Sequence, residues 1–327
     1  MTGTQRRQRS WTGVRGRAGR ADRRRPHRVP PGRRAASAEP VGLYVESVGV
    51  GAPLLVAHGG PGLDHRLYRS LAPLAAGRRL VFWDARGHGR SDALPDGAVG
   101  MELFADDVVR VADSLGLTSF ALLGHSFGGW VAQEAALRHP DRVTALVLAG
   151  TTPGQLGASE SPDDDQGPPT PPELLELLTR VPSSDADAAA TYQELFPHFF
   201  HRPVLAGSLP EIRPEDVSAA SMLRVFEAQR RWSSMDRLSA LDCPTLLVAG
   251  RHDLFCSVEQ HLRIARRLAT AEVHVYAQSG HFPWLEEPAA FFADTASWLA
   301  RHQTGDGSSV RGRWWRPRRA ERRSWGC

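Results

Sequence analysis

The chain has 327 residues, 41% of them hydrophobic, enough for one large domain or one domain carrying an insertion. Its formal net charge of +4 hides a segregation: residues 1–38 hold 12 Arg and a single acid, Asp22, residues 304–327 hold seven Arg and two acids, and the stretch between keeps 21 Arg against 33 acids. No apolar run approaches the ~20 residues that span a bilayer, and the scattered Cys243, Cys256 and Cys327 give neither a disulfide framework nor a metal-binding spacing; a membrane protein and a disulfide scaffold are excluded, and a cytoplasmic setting is expected.

In chain order, residues 1–38 come first. They are rich in Arg, Gly and Pro and have no helical or strand period. Such a segment buries too little apolar surface to offset the entropy of ordering, so disorder is expected here and again over residues 304–327. Arg6 and Arg7 are not followed by an apolar stretch, so no export signal is read. All 40 basic residues are Arg, a compositional bias rather than a designed polyanion surface, and no base-reading module is visible. Nucleic acid is not an expected partner.

From about residue 42 the pattern becomes regular. Leu43–Val48, Pro53–Ala57, Arg79–Trp83, Phe120–Leu123, Ala145–Ala149, Thr245–Ala249 and Glu272–Tyr276 read as strands: short, apolar, and bounded by Gly, Pro or charge. Met101–Leu115, Val131–Leu137, Val258–Leu268 and a last helix opened by Pro288 and running through Leu299 read as amphipathic helices. Strand–helix alternation predicts a mostly parallel sheet covered on both faces, over residues 39–152 and again over 237–303. Residues 153–170 read as a polar loop. Residues 172–236 give only helical signals, Pro172–Arg180, Asp185–Phe200 and Pro214–Trp232, so 153–236 is expected to form a helical cap inserted into the sheet domain.

The strongest chemical signal is Gly124-His125-Ser126-Phe127-Gly128. It follows a strand and opens a helix, as a nucleophile elbow requires. A serine hydroxyl needs a base beside it, and the base needs a carboxylate to orient it. Downstream, Asp253 and His281 each stand just past a strand's carboxyl end, where doubly wound folds assemble their sites. His252 adjoins Asp253 too closely along the chain to meet it productively, and Asp242 precedes its strand. An oxyanion needs two donors: the N–H of Phe127 and one from His58-Gly59-Gly60-Pro61-Gly62, where Pro61 has no N–H and Gly60 is favoured. His58 reads as a structural tie for that loop. No dinucleotide fingerprint, phosphate loop or metal cluster is present, so no cofactor and no metal are expected.

On these residues the chain resembles the α/β-hydrolases, and within them the proline iminopeptidase-like branch, over about residues 42–302. The loop at 58–62 carries the narrower likeness most strongly. The run from Asp84 to Ser91, the acid loop from Gly250 to Cys256, and Ser279-Gly280-His281 with Glu286, Glu287 and Pro288 add to it. Ala85 and Phe127 depart from that branch, which carries Gln and Trp or Tyr there. The resemblance implies the α/β-hydrolase fold and a serine hydrolase acting through an acyl-enzyme on a small molecule or short peptide. It further implies cap carboxylates for a substrate amino terminus, for which Glu227 and then Glu194 are the candidates, with Trp130 lining the pocket. An N-terminal peptidase is the first expectation and an esterase or lactonase the alternative. An acyltransferase or a cofactor-free haloperoxidase would use the same site. Oligomeric state is left open.

Overall fold

The computed structural model describes residues 27–28, 42–154 and 170–302. The disorder expected over residues 1–38 and 304–327 therefore lies outside the described residues, apart from a two-residue strand, β1 (His27–Arg28), that pairs antiparallel with Tyr44 and Val45. Most of the loop read over 153–170 lies outside them as well.

All seven strands read from the sequence are present: β2 (Tyr44–Val48), β3 (Ala52–Ala57), β4 (Arg78–Trp83), β5 (Phe120–His125), β6 (Val143–Ala149), β7 (Thr245–Gly250) and β8 (Ala271–Tyr276). With β1 they form one sheet in the order β1-β2-β4-β3-β5-β6-β7-β8. The neighbours from β4 to β8 run parallel, and β2 runs antiparallel to β4.

Alternation along each strand explains the two covered faces. Leu54 and Val56 of β3 and Leu80 and Phe82 of β4 point to one layer, with Leu67 and Leu71 of a 3-10 helix at His65–Ala75 and Phe291 and Trp298 of the last helix. Leu55, Val81 and Trp83 point the other way, onto α1 (Met101–Ser114) and α2 (Phe127–Arg138). In α1 the residues spaced for one face, Phe104, Val108 and Val111, are fully buried.

Between β6 and β7 the described chain is helical: α3 (Pro172–Thr179), α4 (Asp185–Leu195) and α5 (Ala219–Arg230), with three 3-10 turns between α4 and α5. Ser184 and Ser218 cap α4 and α5 by accepting amide hydrogen bonds from the first turn. The helix expected from Pro214 begins only at Ala219, because Val217 is extended and bridges to Leu63. The segment is bonded to core loops, with Tyr192 Oη donating to the Pro61 carbonyl at 2.6 Å and Ser221 Oγ to that of Gly87 at 2.6 Å. After β7 come α6 (Val258–Ala265), β8, a short α7 (Pro283–Glu286) and α8 (Pro288–Arg301), which opens on the proline expected there. Among the described residues no helix is long and apolar enough to cross a membrane.

The turn after β4 is locked by a buried pair. His65 Nδ1 lies 2.6 Å from Asp84 Oδ1, and Asp84 Oδ2 accepts the Arg90 N–H at 2.9 Å. Burial alone would lower the His65 pKa and raise that of Asp84, but it is outweighed: Asp84 and Glu46 together raise His65, and His65 with the Arg90 amide holds Asp84 well below the usual carboxylate range. Asp84 thus contributes stability above about pH 4 that is lost on acidification. His65 contributes stability below about pH 6.5 that is lost as pH rises through its raised value. The melting temperature is expected to peak in that mildly acidic window. Asp84→Asn should flatten the profile and cost about 3 kcal/mol, because a buried partner is left unpaired. A pH series of thermal melts checks this.

Candidate active site

The backbone at Ser126 is the first fixed point. Its φ of 53° and ψ of −120° make it the one non-glycine residue with positive φ among the described residues. β5 runs straight into α2 here, with no loop between. The approach is possible only because Gly124 and Gly128 lack side chains: a Cβ on Gly124 would lie 2.3 Å from the Gly128 carbonyl oxygen, and one on Gly128 would lie 2.0 Å from that of Ala57. The elbow is pinned by the Ser126 N–H donating to the Ala149 carbonyl at 3.1 Å and by Thr151 Oγ1 donating to the Ser126 carbonyl at 3.0 Å. The helix expected at Val131 starts at Phe127, the residue next to the serine. Loop glycines in the sequence hid its first turn.

The other two residues come from the ends of β7 and β8. Asp253 and His281 are both buried, and His281 Nδ1 donates to Asp253 Oδ2 at 2.7 Å. The second carboxylate oxygen accepts the N–H groups of Phe255 at 2.8 Å and Cys256 at 3.0 Å. The carboxylate's bonds to the ring and to the two amides therefore fix one orientation of the pair. Glu286 and Glu287, in the motif after His281, hold its loop: Glu286 accepts the Gly280 N–H at 2.5 Å, and Glu287 accepts the Ser279 hydroxyl at 2.6 Å. The inserted segment touches the loop too, through the His281 N–H donating to the Phe199 carbonyl at 2.6 Å.

Asp253, Cys256 and His281 also place potential metal-ligand atoms within 4.8 Å of one another. The carboxylate is already satisfied by the imidazole and two amides, and burial pushes the Cys256 thiol well above its usual pKa. The trio reads as an oriented acid–base pair beside an inert thiol.

The loop at 58–62 lies against the elbow. Gly60 has a φ of 71°, and a Cβ on Gly59 would lie 2.9 Å from Ser126 Cβ. Phe127, as the first residue of α2, has an N–H with no carbonyl one turn back to receive it. His58 is the loop tie it was read as. Its Nε2 accepts the Ala85 N–H at 3.0 Å, its Nδ1 meets the Gly59 carbonyl at 3.0 Å, and burial lowers its pKa so that it stays neutral.

Ser126, His281, Gly60 and Trp130 all line one cavity of about 740 Å³. Its far wall comes from the inserted helices and is mostly apolar, with Leu177, Leu195, Phe196, Phe199, Met222 and Phe226. Trp130 is buried and spends its indole N–H on Thr152 Oγ1 at 3.1 Å. Of the two carboxylates expected to hold a substrate amino group, Glu227 lines this cavity and Glu194 does not. Glu194 is outside the lining, paired with Arg180 at 2.9 Å and half exposed. Glu227 reaches the rim, but its carboxylate is taken by Arg231, one turn on, at 2.7 Å. Each acid is satisfied by an arginine within reach, Glu194 by Arg180 and Glu227 by Arg231.

Residues 52–288 match the model of the alpha/beta hydrolase fold family. The chain belongs to this family. Among curated relatives, this alpha/beta hydrolase is 32% identical over 267 residues to a 2-hydroxymuconate semialdehyde hydrolase from Pseudomonas sp. (strain CF600), covering 77% of this chain and 88% of the relative. A proline iminopeptidase from Heyndrickxia coagulans is more distant, 25% identical over 77% of this chain and 91% of that protein. Among solved structures, an esterase from Exiguobacterium antarcticum superposes with a TM-score of 0.66 at 26% identity, covering 80% of this chain and 97% of the other. The narrower iminopeptidase likeness is thus the weaker part of the resemblance. The sequence reading also passed over Tyr68 and His125, which bond to each other inside the site.

Proposed function

We propose that this alpha/beta hydrolase is a serine hydrolase that cleaves small, largely apolar esters or lactones through an acyl-enzyme. The observation that carries the reading is the 2.7 Å bond from His281 Nδ1 to Asp253, with His281 and the strained Ser126 opening onto the same apolar cavity. His281 Nε2 takes the Ser126 proton as Oγ attacks the substrate carbonyl. The N–H groups of Phe127 and Gly60 receive the oxyanion. The protonated His281 then gives its proton to the leaving alkoxide, and a water deprotonated by the same ring releases the acid. Asp253 keeps the Nδ1–H tautomer and stabilises the imidazolium. Asp253→Asn is expected to lower kcat by about 10⁴ with KM little changed, because the wrong tautomer faces the serine. Steady-state kinetics on an aryl ester checks it.

The ester reading stands ahead of an N-terminal peptidase because no carboxylate pair faces Ser126. The one carboxylate in the cavity lining, Glu227, is already paired with Arg231, so a free ammonium would have to compete for it and would otherwise meet an apolar wall. A second reading has its own support. The relative at 32% identity is named a 2-hydroxymuconate semialdehyde hydrolase, and the cavity wall includes Arg180, Arg224 and Arg230, of which Arg180 is paired with Glu194 and Arg224 with the Pro95 and Gly97 carbonyls. The test is a hydrolysis panel of short-chain aryl esters, lactones, 2-hydroxymuconate semialdehyde, and prolyl-, alanyl- and leucyl-arylamides, with Ser126→Ala as control. Esters or lactones are expected to lead the arylamides by at least about 100-fold in kcat/KM. A prolyl-arylamide turned over fastest overturns the reading, and the semialdehyde turned over fastest favours the second.

A further inference from the structure

His125, next to the proposed nucleophile, lines the cavity but spends both ring nitrogens on protein partners. Its Nε2 lies 2.8 Å from the His281 carbonyl oxygen, and its Nδ1 lies 2.7 Å from Tyr68 Oη. These distances allow one proton arrangement. A carbonyl only accepts, so Nε2 carries the hydrogen; Nδ1 is then a bare lone pair, so the Tyr68 hydroxyl donates to it. The Gly59 backbone packs against that hydroxyl, and a Cβ on Gly59 would stand only 2.5 Å from it. A chain of buried bonds thus runs from Tyr68, packed on the Gly59 backbone, through His125 to the backbone of His281. Tyr68 and His125 are both about 1% exposed, so water does not compete for these bonds.

We propose that Tyr68 and His125 are positioning residues that hold the 58–62 loop, the Ser126 elbow and the His281 loop in one register, which sets how Ser126, its base and its oxyanion donors meet. This rests on the reading of Ser126 and His281 as nucleophile and base. The three loops come from different strand ends, and a displacement of about 1 Å among reacting groups costs on the order of 100-fold in rate. His125 also stays neutral beside a ring that must become charged. Burial, and then the His281 charge 4.4 Å away between ring centroids, hold its pKa well below the usual histidine value.

The test uses the full chain and the best ester of the panel, with Tyr68→Phe, His125→Gln, His125→Ala, the double variant Tyr68→Phe/His125→Gln, and Ser126→Ala in one series. A glutamine amide reaches where Nε2 stood and can donate to the His281 carbonyl, but it cannot accept from Tyr68. Tyr68→Phe is expected to lower kcat about 10-fold and His125→Ala about 100-fold. KM should stay within about twofold, and the rate of fluorophosphonate labelling should fall in parallel. His125→Gln should recover part of the loss, and adding Tyr68→Phe to it should cost nothing further, since that bond is already broken. Thermal melts exclude unfolded variants, and Tyr68→Phe and His125→Gln carry the test if His125→Ala does not fold. Wild-type kcat and labelling rates in folded Tyr68→Phe and His125→Gln overturn the positioning role, as does a loss confined to KM. Activity retained by Ser126→Ala instead overturns the nucleophile assignment beneath it.

Discussion

Ser126→Gly is expected to abolish ester hydrolysis and to raise the melting temperature by about 2–4 °C in the same protein. The two effects share a cause. At φ 53° and ψ −120° the serine occupies backbone space that L side chains rarely adopt, at a cost of about 1–3 kcal/mol. Glycine enters that region freely. It loses up to about 1 kcal/mol through its larger unfolded-state entropy, so a gain of about 1 kcal/mol remains. The hydroxyl goes with the side chain, and kcat should fall by about 10⁶, leaving only what binding and the oxyanion donors supply. Strain of this kind persists where function requires it. Calorimetry and an ester assay on one preparation decide the matter. A variant that keeps hydrolysing, or one that melts lower than the parent, contradicts the proposal that Ser126 is held in strain for chemistry.

The largest structural effect is expected from Gly128→Ala. The added Cβ would stand 2.0 Å from the Ala57 carbonyl oxygen, 2.4 Å from its carbon and 2.6 Å from the His58 carbonyl oxygen. All three are backbone atoms, in or next to a central strand, so relief requires moving β3 or α2 as a body. Overpacking in a core typically costs 1–3 kcal/mol where side chains can yield. Here they cannot, so a loss of at least about 4 kcal/mol is expected, much of a typical domain's 5–15 kcal/mol. Gly207→Ala is the matched control, with nothing within 4 Å of its Cβ and no positive φ. It should be neutral or slightly stabilising. Denaturant melts of the two variants measure the contrast, and a Gly128→Ala protein as stable as the parent would refute the close approach of α2 to β3.

The sheet was legible because each strand is a short apolar run with Gly, Pro or charge at its ends, and burial on both faces keeps such runs unbroken. The pair Asp253 and His281 was legible from chain order and from position after a strand. What was missed has physical reasons. The 3-10 helix at His65–Ala75 carries Pro73 inside it, which reads as a breaker, although Leu67, Leu71 and Leu74 already share a helical spacing. His125 stands at a variable position of the elbow motif, and its bond to the His281 carbonyl spans 156 residues; no local pattern reports such a contact. Glu194 and Glu227 were singled out because the resemblance implies cap carboxylates and both lie in the helical segment 172–236. The pairing of Glu227 was legible from the sequence, since Arg231 lies one helical turn on, at the i,i+4 spacing of a surface ion pair. The partner of Glu194 is Arg180, on another helix, and only folding brings them together.

The most direct measurement is intact-mass and peptide-mapping spectrometry after reaction with a fluorophosphonate, run on the parent, Ser126→Ala and His281→Gln. One adduct per chain, mapped to Ser126, absent from Ser126→Ala and formed at least about 10³-fold more slowly in His281→Gln, is expected if the imidazole at 281 draws the proton from the hydroxyl at 126. An adduct on another residue, or labelling of Ser126 at an undiminished rate without His281, would contradict that proton transfer.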